Sequence, residues 1–166
     1  MDEPVTSTTR RVSQLKEPRQ AASRDLRQRI DDAVTNQPTV DPHTHLVCGQ
    51  MGATDLAHLL SYHWIQKELM SVGMSADAFS PDHEPRERVR AAARYFPMVH
   101  NTGTAWCLKR VFQDLYGFGG RSFDESTWEE LWDLAHARLS RPRWGSEVMK
   151  QGRLVKSVTS VGNRSA

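Results

Sequence analysis

From Thr54 to about Leu139, apolar residues recur at helical intervals through stretch after stretch, and the one strand-compatible segment ahead of them is short, Pro38-Thr-Val-Asp41. That order constrains the fold more than any single motif, because several helices in a row after one strand give a mostly α chain. Leu56, Leu59, Leu60 and His63 fall on one helical face, with Trp64 beside them. Val89, Ala92, Ala93 and Phe96 share a second face, and Leu108, Val111, Phe112 and Leu115 a third. A Ser-x-x-Glu capping box at Ser126 and Glu129 predicts the start of a last long helix through Trp128, Leu131, Trp132, Ala135 and Leu139. Gly73, Pro81, Pro85, Pro97, Gly103 and the Gly117–Gly120 stretch punctuate these segments, and no internal repeat is visible.

The ends differ from this middle. Residues 1–20 are polar, with little apolar periodicity, and read as a mobile arm. A helix is expected from Ala21 to Val34, where Leu26, Ile30, Ala33 and Val34 keep helical spacing before Asn36 and Pro38. The segment Pro38–Asp41 reads as one buried strand. After Pro142 and a short helical piece, Leu154-Val-Lys-Ser-Val158 is fit to begin a second strand. The expected division is a mobile arm over 1–20, a helix and first strand over 21–52, a helical unit over 53–143, and a second strand unit with a divergent tail over 144–166.

Charge follows the same division. Residues 1–30 hold seven basic against four acidic side chains, residues 31–137 eight against fifteen, and residues 138–166 seven against one. Basic ends of this density, without interleaved aromatics, read as solvated tails and not as a nucleic-acid footprint. An apolar content of 38% with 25% charged residues fits a soluble globular chain. No run of about 18 apolar residues exists and the N-terminus lacks the apolar stretch of a secretion signal, so no membrane partner is expected. Cys48 and Cys107 lie far apart with no Cys-x-x-Cys spacing, which points to a reducing cytoplasm, and Cys48 reads as a packing residue.

The sharpest chemical feature is His43-Thr-His45, directly after the expected strand. In extended backbone, side chains alternate, so both imidazoles project to one side and are able to reach one divalent cation. Two histidines do not complete a site. Asp41 is either an acceptor that orients an imidazole or an ordinary turn carboxylate. His58 and His100 read as polar helix or loop residues, and Trp106, Trp128 and Trp132 as core residues on apolar faces.

Val-Asp-Pro-His-Thr-His-Leu46 resembles the first-strand metal motif of the amidohydrolase superfamily, and three later stretches resemble uronate (glucuronate) isomerases in the family's order. They are Leu59–Met74, Phe96–Phe118 and Glu147–Leu154, so the resemblance spans roughly residues 38–156. It implies the first one or two strands of a (β/α)8 TIM-type barrel with a helical insertion attached. It also implies aldose–ketose isomerisation of a uronic acid, D-glucuronate to D-fructuronate, with His43 and His45 on a divalent metal, zinc by expectation. Tyr62, His63, Trp64 and Lys67 would meet the sugar acid from the insertion, although each is equally readable as an ordinary helix residue. The resemblance departs from the family at Trp64, where a tyrosine is usual; indole neither donates nor accepts a proton as a phenol does.

A complete barrel takes about 250 residues, so the expectation is a truncated piece with an incomplete active site. Its partners would be a small uronic acid together with further copies or a downstream polypeptide, and no catalytic base is assignable. The alternatives are a small helical binding or regulatory module, or a piece of another metal-dependent amidohydrolase.

Overall fold

The computed structural model describes residues 17–44 and 52–159. It is mostly helical with a two-stranded parallel sheet. Helix α1 (Glu17–Asn36) leads into β1 (Thr39–Thr44); then come α2 (Leu56–Leu60), α3 (His63–Ser71), a 3-10 turn (Ala76–Phe79), α4 (Pro85–Val99), α5 (Gly103–Asp114), α6 (Trp128–Leu139), α7 (Trp144–Gln151) and β2 (Leu154–Thr159). The arm expected over residues 1–20 lies largely outside the described residues, and α1 begins four positions before the expected start.

Helix α4 is the hub, packing against α2, α3, α6 and the 3-10 turn. Its face Val89, Ala92, Ala93 and Phe96 is fully buried, as the spacing predicts. Phe96 meets Phe112 of α5 and Phe123 of the following loop, with ring centroids 6.1 and 5.1 Å away, while Phe112 and Phe123 lie 5.6 Å apart at 70°. These tilted and edge-to-face contacts are the arrangement that ring quadrupoles favour. Tyr116 and Trp144 extend the core, and burial pushes the Tyr116 phenol up to about 12.

The chain reverses where glycine permits it. At the end of α3, Gly73 adopts φ +104°, its N–H donates to the Met70 carbonyl and Met74 N–H donates to the Leu69 carbonyl. This pair of bonds is a Schellman stop, and it folds Met74 under the core.

Several sequence expectations are corrected. The face drawn through Leu56 and His63 is interrupted, because the chain turns at Ser61 and Tyr62 and His63 opens a new helix. Pro97 lies inside α4, since a proline near a helix end removes only one backbone bond and the helix stops two residues later. The Ser126–Glu129 capping box does not form. Instead, Ser126 donates through both its N–H and hydroxyl to Asp124 Oδ1, and the Asp124 carbonyl accepts from Thr127 and Trp128. Asp124 therefore starts the turn that becomes α6, and the Ser126 hydroxyl followed by its backbone N–H holds the Asp124 carboxyl below its usual range. Trp106 is 62% exposed, contrary to its expected core role, whereas Trp128 and Trp132 pack against the core as expected.

The strands pair as parallel neighbours, Thr39 opposite Leu154 and Thr44 opposite Thr159, with two irregularities in register. The second strand is thus present where Leu154–Val158 predicted it. The first is not the buried strand expected: its Val40 is 54% exposed, because no described helix covers it. Leu26, Ile30 and Val34 of α1 and Val155 and Val158 of β2 are exposed as well. No described helix is long and apolar enough to cross a membrane.

Two outcomes follow from this packing. Phe96→Ala is expected to lose about 3–5 kcal/mol in urea unfolding, since it opens a cavity in the aromatic cluster, while Trp64→Ala and Trp106→Ala change stability by less than about 0.5 kcal/mol. Asp124→Ala is expected to cost about 1 kcal/mol at neutral pH, the usual worth of a capping side chain. A carboxyl with a lowered value stabilises the fold above its unfolded range and loses that contribution as pH falls through the lowered value. The difference between wild type and Asp124→Ala should therefore shrink on acidification in parallel unfolding curves, whereas Asp124→Asn, which still accepts the bonds, should retain most of the neutral stability.

Candidate functional site

Two groups of sequence-predicted residues are placed differently. The metal-motif strand contributes His43, exposed near the end of β1; His45 and Cys48 lie outside the described residues. Asp41 acts as the turn carboxylate, its Oδ1 accepting from the His43 backbone N–H at 3.1 Å and its Oδ2 from the Ser157 hydroxyl at 3.3 Å. The Ser157 bond ties β1 to β2. Among the described residues no group of three or more His, Cys, Asp and Glu is arranged to hold a metal ion. The described side chains therefore do not by themselves make a metal set.

The second group is brought together. Tyr62 precedes α3 in extended conformation, φ −62° and ψ 130°, and makes no side-chain cap, so its ring is left beside the first helical residue. The Tyr62 and His63 ring centroids are 4.5 Å apart, those of His63 and Trp64 5.0 Å apart, and Lys67 Nζ lies 5.0 Å from the centre of the Trp64 ring. All four side chains are exposed. Their inward neighbours Ile65 and Leu69 are completely buried, which fixes the outward face. The spacing of Trp64 and Lys67, three positions apart on one helix, is what brings ammonium and indole into contact.

Helix α3 rests chiefly on α4 and α5, and the Thr102 hydroxyl at the start of α5 donates to Glu68. Chemically the patch offers an aromatic surface, one cation, one phenol and one imidazole. That set suits an anionic ring compound whose apolar face stacks and whose charge meets the ammonium. It supplies no proton relay at Trp64, because the indole N–H donates a hydrogen bond but does not take up and release a proton as a phenol does.

The remaining histidines take polar structural roles, as their settings predict. His58 Nδ1 faces the Thr54 N–H and hydroxyl at 3.3 Å each, and His100 Nδ1 lies 2.6 Å from the Pro97 carbonyl. Cys107 is free and exposed. A separate groove beside α4, lined in part by Arg90 and Arg94, is announced in the sequence only by the four-residue interval between two arginines, which solvated helix faces share.

No family model matches the chain. Among curated proteins it is 31% identical over 132 residues to the uronate isomerase of Sphingopyxis alaskensis, covering 74% of this chain and 27% of that protein. It is 28% identical over 144 residues to the uronate isomerase of Caulobacter vibrioides, covering 76% of this chain and 29% of the relative. The chain spans a little over a quarter of the length of the curated relatives it matches, and its similarity to uronate isomerases is a resemblance across about three quarters of its own length.

Proposed function

We propose that the chain supplies the first metal-donor strand and the substrate-facing helical insertion of a uronate isomerase-like enzyme, built as the opening part of a (β/α)8 barrel. The observation that carries this reading is the similarity to two uronate isomerases across about three quarters of the chain. The parallel pairing of β1 with β2 around the helical unit supports it, since parallel strands separated by helices are the repeating unit of such barrels. In this reading His43 and His45 are two donors to a divalent cation such as zinc, which when bound polarises substrate oxygens. Further β/α units, in a second polypeptide or in longer sequence, complete the ligand set. The location is cytoplasmic, which a free Cys107 supports.

The residues of α3 have work of their own. Lys67 pairs the carboxylate of D-glucuronate, Trp64 stacks on the C–H face of the sugar ring, and Tyr62 and His63 hydrogen-bond ring hydroxyls. The interconversion with D-fructuronate moves a proton between adjacent carbons, so its base must be a group other than Trp64. Turnover therefore belongs to the completed assembly.

The helical unit closes its core almost wholly on residues between Leu56 and Trp144. That closure supports a second reading, a helical binding module whose strands are incidental.

A fluorescence titration with D-glucuronate and D-glucose separates the two. Under the first reading, glucuronate binds in the millimolar range, glucose binds more weakly, and Lys67→Met loses about tenfold in affinity, about 1.4 kcal/mol. Trp64→Phe should remove most of the signal, and the chain alone should form no ketose with or without added zinc. Equal response to both sugars, or none at millimolar concentrations, would sink the sugar-acid reading and leave the binding module.

A further inference from the structure

Beside α4 lies a groove of about 420 Å³, within the size range of small-ligand sites, whose walls belong to neither the metal-motif strand nor the α3 aromatic patch. Its charged residues are Glu87, Arg90 and Arg94 of α4 and Glu125 from the turn before α6. Among the described residues these four make no ion pair, although Arg86, Arg110, Arg121 and Arg141 each pair with a carboxylate. Two carboxylates and two guanidiniums line one groove without neutralising one another.

Their placement along the helix explains this. Arg86 pairs with Glu129 at 3.4 Å and lies over the Trp128 ring, holding the start of α6 against the first turn of α4, and Glu125, three residues before Trp128, lines the same groove as Glu87. At the other end, the Schellman turn brings Gly73 near Tyr95, 3.9 Å from the position a Cβ would take, and sets Met74 and Ser75 as the facing wall. The Arg94 guanidinium lies 5.8 Å from the centre of the Tyr95 ring, a contact that orients it. Glu87 and Arg94 lie seven positions apart on α4, a rise of about 10 Å. Buried Met74 and half-buried Ala91 add apolar surface to the groove.

We infer that this groove binds a linear zwitterion of short-peptide size, with its carboxylate on Arg90 and Arg94 and its ammonium on Glu87 and Glu125. The electrostatic match selects the class: a simple anion meets two glutamates and a simple cation meets two arginines, while a molecule with both charges satisfies each end. Length selects the size, because three extended residues span about 10 Å.

Calorimetric titration of the full chain with trialanine tests this, using N-acetyl-trialanine and trialanine amide as probes that each lack one terminal charge. The expected result is millimolar binding of trialanine and at least about tenfold weaker binding of both blocked peptides. The double variant Arg90→Gln/Arg94→Gln, exposed residues whose loss should leave the circular dichroism unchanged, should weaken trialanine to the same degree. Absence of trialanine binding, equal binding of the blocked peptides, or full binding by the double variant would each overturn the assignment. Because the readout uses no sugar, its failure leaves the uronate reading untouched.

Discussion

Everything ordered in the middle of this chain depends on three phenylalanine rings meeting at one point. Phe96 comes from the last turn of α4, Phe112 from the last turn of α5, and Phe123 from the irregular stretch that follows. Two helices alone would leave a slot between them. The third ring, carried by a loop, closes it. The loop reaches that point because Gly117, at φ +79°, lets the chain reverse and Phe118 N–H donate back to the Phe112 carbonyl. The placement of the turn before α6, which brings Glu125 to the groove beside α4, follows from this closure.

The molecule is thus uneven. Its helical unit buries a continuous core and leaves no polar or charged residue buried within it. The α1–β1–β2 part presents Leu26, Ile30, Val34, Val40, Val155 and Val158 to solvent. A sheet of two parallel strands has two open edges, and parallel sheets are ordinarily covered on both faces. The contrast is one of packing, since the exposed Val40, Val155 and Val158 are as apolar as the buried Val89 and Val99.

The sequence made the periodic parts legible and little else. Val89, Ala92, Ala93 and Phe96 were readable because burial on a helix imposes its own spacing, and Leu154–Val158 because β-branched residues sat beside a turn. Phe123 was not, since a single aromatic in a glycine-rich stretch has no period to betray it. The capping pattern at Ser126 misled because Asp124, two residues earlier, is a stronger acceptor for the same donors. Tyr62, His63, Trp64 and Lys67 do gather into one patch, a grouping that consecutive and i, i+3 positions dictate. The burial of β1 was not readable, because burial of a strand is a property of what lies against it.

Parallel pairing of the two strands has a consequence for the order of assembly. The bond from Arg153 to the Asn36 side chain, next to the ladder, joins residues 117 positions apart. Closing a loop of that length from an unfolded chain costs about 4 kcal/mol beyond the fixed term, more than a short ladder of exposed residues returns. Collapse of the intervening helices removes most of that cost by drawing the two ends near each other. The strands therefore zip last, and their amide protons should exchange with solvent well ahead of those in α4. In this protein the part with the chemical motif is the part held in place by the rest.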